Sequence, residues 1–221
     1  ISMMALSLAA CGGGGSAPAP VVVDEDPVVV PITSALTIWN DTVVGTTADD
    51  IITGARIDTV QVLNSGDSIA LGAGTDSLSA TLNTGTVTPV AITGVENVML
   101  TVLGAAIVDF ANVSGVISII SRGSSATLLV DNIKEIPTSI SVNNNTAAQT
   151  FVVKDSAVVG ASDSIILNLD GAGGVVNIGG ETDGDGDIET FTIVASAGPS
   201  DLGVGNGFGA DATTITVNAT S

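Results

Sequence analysis

Short apolar patches recur along the chain: Val98 to Val102, Ile107 to Phe110, Val116 to Ile120, Thr127 to Val130, Ser139 to Val142, Phe151 to Val153 and Ile165 to Leu169. Their starts fall about nine to fourteen residues apart, a spacing that fits a β-sandwich or a stack of solenoid rungs. Val, Ile, Leu and Ala fill the patches. Thr, Ser, Asn, Asp and Gly separate them, and this pairing of β-branched residues with turn formers predicts an all-β chain. Asn143-Asn144-Asn145, Gly171 to Gly174 and Gly203 to Gly209 read as turns that tolerate positive φ. Helical 3.6-residue periodicity is weak throughout, although Gly104 to Asn112 admits a short helix.

A parallel β-solenoid, similar to a β-roll, is the preferred architecture, with a tandem β-sandwich as the alternative. Small aliphatic side chains suit a narrow stacked core. Hairpin signals are scarce, Asn206-Gly207 being the clear one. A sandwich of immunoglobulin type would carry more aromatic filling, and this chain is only 2% aromatic with no Tyr. Trp39 is expected to plug the first rung.

Two segments share an internal order. Gly72 to Val102 and Gly160 to Val194 each run from Asp-Ser through an apolar strand, a Gly-rich or Thr-rich turn and a Val/Ile strand to a strand opened by Glu. Asp76 aligns with Asp163, 87 positions on, and Glu96 with Glu189, 93 positions on. A module of roughly ninety residues is thus present nearly twice. The expected division is a signal-peptide remnant at 1–10, a tether at 11–31, one β-repeat module at 32–154 and a second at 155–221. The second copy stops short, so the chain is expected to belong to a longer array.

Charge narrows the functional classes. The 221 residues hold 23 carboxylates against 4 basic side chains, a net charge of −19. Such a chain repels phosphate backbones, which argues against nucleic-acid binding, and it suits divalent cations. There is no His and the single Cys is Cys11. Ser-His-Asp and Cys-His nucleophiles are therefore excluded within this chain, as are the usual nitrogen and sulfur zinc sites. Glu96 and Glu189 share a module position but are not read as a catalytic pair. Glycosidase sites surround their two carboxyls with aromatic platforms and basic groups, and both are sparse here. The chain is read as non-enzymatic.

Ile1 to Ala10 resembles the end of a secretory signal. Leu8-Ala9-Ala10-Cys11 is similar to the bacterial lipobox, in which cleavage before the Cys precedes its lipidation; an ordinary signal peptide with a chance Cys is the alternative. The resemblance implies lipidation of Cys11 and attachment to a membrane. Each buried acyl CH2 contributes about 0.8 kcal/mol, and more than one chain gives stable anchoring. Gly12 to Pro31 then forms a tether, flexible where Gly and Ser dominate and stiffer where Pro does. Gly12 after the Cys implies sorting to the outer membrane of a bacterial cell envelope.

Gly45 to Leu82, "GTTADDIITGARIDTVQVLNSGDSIALGAGTDSLSATL", resembles the repeat region of bacterial S-layer and RTX-type surface proteins. Leu71-Gly72-Ala73-Gly74-Thr75-Asp76-Ser77-Leu78-Ser79 matches their nonapeptide except that Leu71 replaces its first glycine, and Asp49-Asp50-Ile51-Ile52 replaces the usual Gly-Asn-Asp. The resemblance implies a structural or adhesive role at the cell surface, with calcium held in a parallel β-roll. In that reading Asp76 supplies a carboxylate, and Gly72 and Gly74 turn backbone carbonyls toward the ion. The competing reading is that Asp76 caps the turn before a strand.

"ETDGDGDIE", from Glu181 to Glu189, is the densest acidic stretch. Asp183, Asp185 and Asp187 alternate as in the first half of an EF-hand loop, but Ile188 stands where that loop needs glycine and Val194 where it needs its bidentate Glu. A true EF-hand is rejected. A looser calcium-bound turn including Glu189 and a solvated acidic loop remain the two readings. The expected protein is a lipid-anchored, adhesive or structural β-repeat, stabilised by calcium and meeting itself or other surface components. A glycan-binding or protein-binding module is the alternative, and a polysaccharide-active enzyme a more distant one.

Overall fold

The computed structural model describes residues 28–159, 162–181, 188–196, 201–204 and 214–220. Cys11, most of the tether, Asp183, Asp185 and Asp187 lie outside them. The chain winds into a parallel β-solenoid of about seven turns. All strand pairs in its three sheets are parallel among the described residues, which removes the sandwich alternative.

The long sheet has nine strands: β1 (Thr33–Ala35), β3 (Ile51–Gly54), β5 (Ser77–Leu82), β8 (Asn97–Val102), β11 (Ser118–Arg122), β13 (Ser139–Asn143), β15 (Ser164–Asp170), β17 (Thr190–Ser196) and β19 (Thr214–Thr220). A four-stranded sheet covers the early rungs with β2 (Thr42–Val44), β4 (Ser68–Ala70), β7 (Ala91–Thr93) and β10 (Val113–Ser114). A six-stranded sheet starts at β6 (Gly85–Val87) and continues through β9 (Ala106–Asp109), β12 (Leu128–Ile133), β14 (Gln149–Val153), β16 (Val175–Gly180) and β18 (Asp201–Val204). The rungs of β5 and β8 thus have three sides, and those from β11 onward have two.

Alternation makes the core. The seven long-sheet strands from β3 to β17 turn apolar residues inward in register with their neighbours, one column being Ile52, Leu78, Val98, Ile119, Ile140, Leu167 and Ile193. All seven are buried, and each contributes roughly 1.5–3 kcal/mol relative to exposure. Phe151 and Phe191 fill the wider places, both with no exposed surface. The outward positions carry mostly Ser, Thr and Asn, with Met99, Ile120 and Ile166 among them, and hydroxyls meet across rungs, as Ser139 donating to Ser118 Oγ at 3.3 Å.

The structural repeat is the rung. Hydrogen bonds between adjacent rungs join residues from 18 to 28 positions apart. Both large sheets run unbroken across residue 154, since β13 pairs with β15 and β14 with β16. Two expectations are corrected. Gly104 to Asn112 is not a helix: β9 is followed by a single 3-10 turn, Phe110–Asn112, whose Ala111 N–H donates to Asp109 Oδ1 at 2.8 Å. Six-stranded-sheet register at Ala106 to Asp109 overrides the local pattern there. Trp39 plugs nothing; it is 74% exposed.

Candidate functional site

Carboxylates gather at one corner of the solenoid, where the chain enters each long-sheet strand. Asp50, Asp76, Glu96, Asp163 and Glu189 immediately precede β3, β5, β8, β15 and β17. The corner needs acceptors because the chain turns sharply there and the strand ladder does not reach its N–H groups. The carboxylate of one rung supplies an acceptor to the rung before it. Ile32 N–H donates to Asp50 Oδ1 at 2.7 Å, Asp50 N–H to Asp76 Oδ1 at 2.6 Å, and Asp76 N–H to Glu96 Oε2 at 2.7 Å. The same bond recurs further along, Asp163 N–H donating to Glu189 Oε2 at 2.7 Å. The two sequence segments that align Asp76 with Asp163 and Glu96 with Glu189 therefore carry the same inter-rung contact.

Gly72 and Gly74 serve the turn that delivers Asp76. Their φ values of +99° and +140° lie where side-chain-bearing residues rarely go,. A Cβ at Gly72 would fall 2.4 Å from Thr46 O and one at Gly74 would fall 2.7 Å from Ala48 O, so the turn seats directly on the preceding rung. Asp76 Oδ1 is engaged by the Asp50 N–H, which is the turn-capping geometry. Its Oδ2 is buried with no hydrogen-bond partner, and so is Asp163 Oδ2 among the described residues. No group of three or more metal-ligating side chains is arranged around an ion position among the described residues.

These acids differ in proton affinity. Burial pushes Asp76 above the ordinary carboxylate range, and the charges of Glu96, Asp50 and Asp49 push the same way against the single Asp50 N–H,. Asp163 is raised by burial and by Glu189. Asp67, before β4, is raised by burial with help from Asp41, although the N–H groups of Asn64 and Asp41 oppose the rise. Asp50 goes the other way. Burial raises it, but the Thr46 and Ile32 N–H groups and the Thr46 hydroxyl together outweigh that and hold it ionised.

Sequence reading singled out Asp76 and Glu189 but not Asp50 or Asp67 as site residues. The signal was present as acid–x–apolar at the strand starts: Asp50-Ile51-Ile52, Asp67-Ser68-Ile69, Asp76-Ser77-Leu78, Glu96-Asn97-Val98, Asp163-Ser164-Ile165 and Glu189-Thr190-Phe191. A neutral network was missed altogether. Ser121, Ser124, Asn145 and Gln149 are all buried. Val102 N–H donates to Ser124 Oγ at 3.0 Å and Ser124 N–H to Asn145 Oδ1 at 2.9 Å. Asn145 Nδ2 donates to Ser121 Oγ at 2.8 Å, and Ser121 in turn to Gln149 Oε1 at 2.7 Å.

Hollows lie on the sheet faces, among them an apolar one of about 350 Å³ lined by Ile51, Ser79, Met99 and Ile120 among others, and two larger ones. One, about 550 Å³, is lined by Ile136, Thr138, Ser162, Asp163, Ser164 and Thr190 among others. Among the described lining residues Asp163 is the titratable group, set among hydroxyls. The other, about 510 Å³, is lined by Thr, Ala, Gly, Ile and Leu of the six-stranded sheet and its flanks. No helix among the described residues is long and apolar enough to cross a membrane. Compared with family models, curated proteins and solved structures, the chain has no match in any of the three.

Proposed function

We propose that this protein is a non-enzymatic structural or adhesive rod of a bacterial cell surface, tied to a membrane through a lipid on Cys11 and stabilised by calcium. The observation that carries this reading is the unbroken parallel register of the nine-stranded sheet. Every rung hydrogen-bonds to the next along the axis, so a pull along that axis is shared across whole ladders of bonds. Stacked aliphatic columns make such a rod stiff without asking any side chain to do chemistry.

Calcium enters through the acids. Asp49, Asp50, Asp76 and Glu96 sit on adjacent rungs, and Asp49 Oδ1 accepts the Thr75 N–H at 2.7 Å. Crowded carboxylates destabilise the compact state unless protons or cations offset them. External calcium that binds the folded chain would stabilise it by mass action. The acidic stretch with Asp183, Asp185, Asp187 and Glu189 is the second place for it, with the Gly72–Asp76 turn as the first. The test is thermal melting of the full chain in millimolar calcium and in chelator. A rise in Tm with calcium supports the reading, and identical curves reject its calcium part. Expression in a bacterial host with and without Cys11→Ser tests the anchor: the parent chain should partition with membranes and the variant should not.

A further inference from the structure

The loop between β1 and β2 presents a tryptophan to solvent and holds it there. Trp39 is 74% exposed and Ile38 beside it 44%. Tryptophan is on average a highly buried residue, and an exposed one is concentrated binding surface. The loop is fixed by its own side chains. Thr37 N–H donates to Asp41 Oδ2 at 2.7 Å, Thr37 Oγ1 to Asp41 Oδ1 at 3.0 Å, and Trp39 N–H to Thr37 Oγ1 at 3.2 Å. The next rung braces it: Asp41 N–H donates to the buried Asp67 at 2.9 Å, and Asn64 Nδ2 lies 3.4 Å from both Thr37 O and Trp39 O. A loop so bound presents its ring without first having to become ordered, which preserves affinity.

Asn40 follows Trp39 in the same loop. Its side chain lies over Gly66 so closely that a Cβ there would fall 2.1 Å from Asn40 Cγ. Gly66 thus leaves the room that Asn40 occupies. Asn40 is exposed, so a side chain with both a donor and an acceptor stands one position from an exposed apolar ring.

We propose that Trp39 and Asn40 form a binding tip for a neutral pyranose unit of a polysaccharide. A pyranose ring has one face of C–H groups, which stacks on an aromatic ring, and an edge of hydroxyls, which a carboxamide can meet as both donor and acceptor. The net charge of −19 selects against phosphorylated or uronic-acid glycans,. The inference rests on the adhesive part of the reading above and gives it a ligand class. The anchored, calcium-dependent rod can stand if this tip binds nothing.

The test is native electrophoresis of the full chain through gels containing hydroxyethyl cellulose, soluble starch or galactomannan. At least one should retard the parent protein. Trp39→Ala should lose about tenfold in affinity or more, as expected when an aromatic stacking contact of about 1.5 kcal/mol is removed. Asn40→Ala should lose several-fold, and Gly66→Ala, which displaces Asn40, should resemble it. Trp39 is the only Trp and there is no Tyr, so the parent chain's emission should also shift to shorter wavelength as the retarding polysaccharide is added. No retardation by any of the three overturns the proposal. So does equal retardation of parent and Trp39→Ala, or an emission shift seen only with phosphatidylcholine vesicles.

Discussion

Two regions of the solenoid meet the same demand with different chemistry. At the entry corner of the early rungs, N–H groups of one rung bond to Asp50, Asp76 and Glu96 of the next. Where the middle strands β8, β11 and β13 end, the hydrogen bonds run from Val102 to Ser124 to Asn145 with neutral acceptors. The geometry is alike: each rung supplies an acceptor to the N–H before it. The entry corner holds Ile117 before β11 and Thr138 before β13, where neighbouring rungs hold acids. What separates the regions is titration. The neutral network is satisfied at every pH, while the acidic ladder contains an ionised Asp50 beside an Asp76 that resists ionisation.

The largest effect should come from the neutral region. Asn145→Ala orphans the Ser124 N–H and the hydrogen bond to Ser121 inside the core, and should destabilise by about 3 kcal/mol. Urea unfolding at several pH values should show the same loss throughout. Asp50→Ala removes the acceptor of Ile32 N–H, Thr46 N–H and the Thr46 hydroxyl. Its loss at pH 7 should be clear and should shrink in acid. Asp50 is held below its ordinary value, so the stability it adds is present above the unfolded-state value and disappears as pH falls through the folded one.

Asp76→Asn should act in the opposite sense and more weakly. The carboxamide can still accept the Asp50 N–H, while the buried charge is gone, so Tm at pH 7 should rise. Asp76 and Asp163 are held above their ordinary value, so folding takes up protons. Their contribution is greatest below the unfolded value and is lost as pH rises through the folded one. Smallest of all should be the effect of Trp39→Ala on stability, within about 0.5 kcal/mol, as for an exposed side chain. Circular dichroism melting checks it.

The fold was largely legible. The patches that start at Val98, Ile107, Val116, Thr127, Ser139, Phe151 and Ile165 each overlap a strand, because the inward face demands a β-branched or aliphatic residue at every second position. Asn144 takes φ +53° and Gly171 +65°, as their turn runs suggested. The ladder was half legible. Acids before apolar strands were visible, but only coordinates show that Asp76 faces a backbone N–H of the previous rung. Ser121 and Ser124 lie in "SRGSS", which reads as a solvated turn, and nothing local indicates that Asn145 and Gln149 close over it from the next rung. Trp39 was misplaced because burial of a large aromatic is the better expectation until the bonds from Asp41 and Asn64 are seen to turn the loop outward.

The pH dependence of Tm in the parent chain and in the double variant Asp76→Asn with Asp163→Asn tests the two-chemistry account most directly. The parent should gain stability as pH falls from 7 toward the ordinary carboxylate value of 3.8, and the double variant should lose most of that gain. Parallel curves for the two proteins would show that the unpartnered carboxyl oxygens do not hold protons in the fold, and would contradict it.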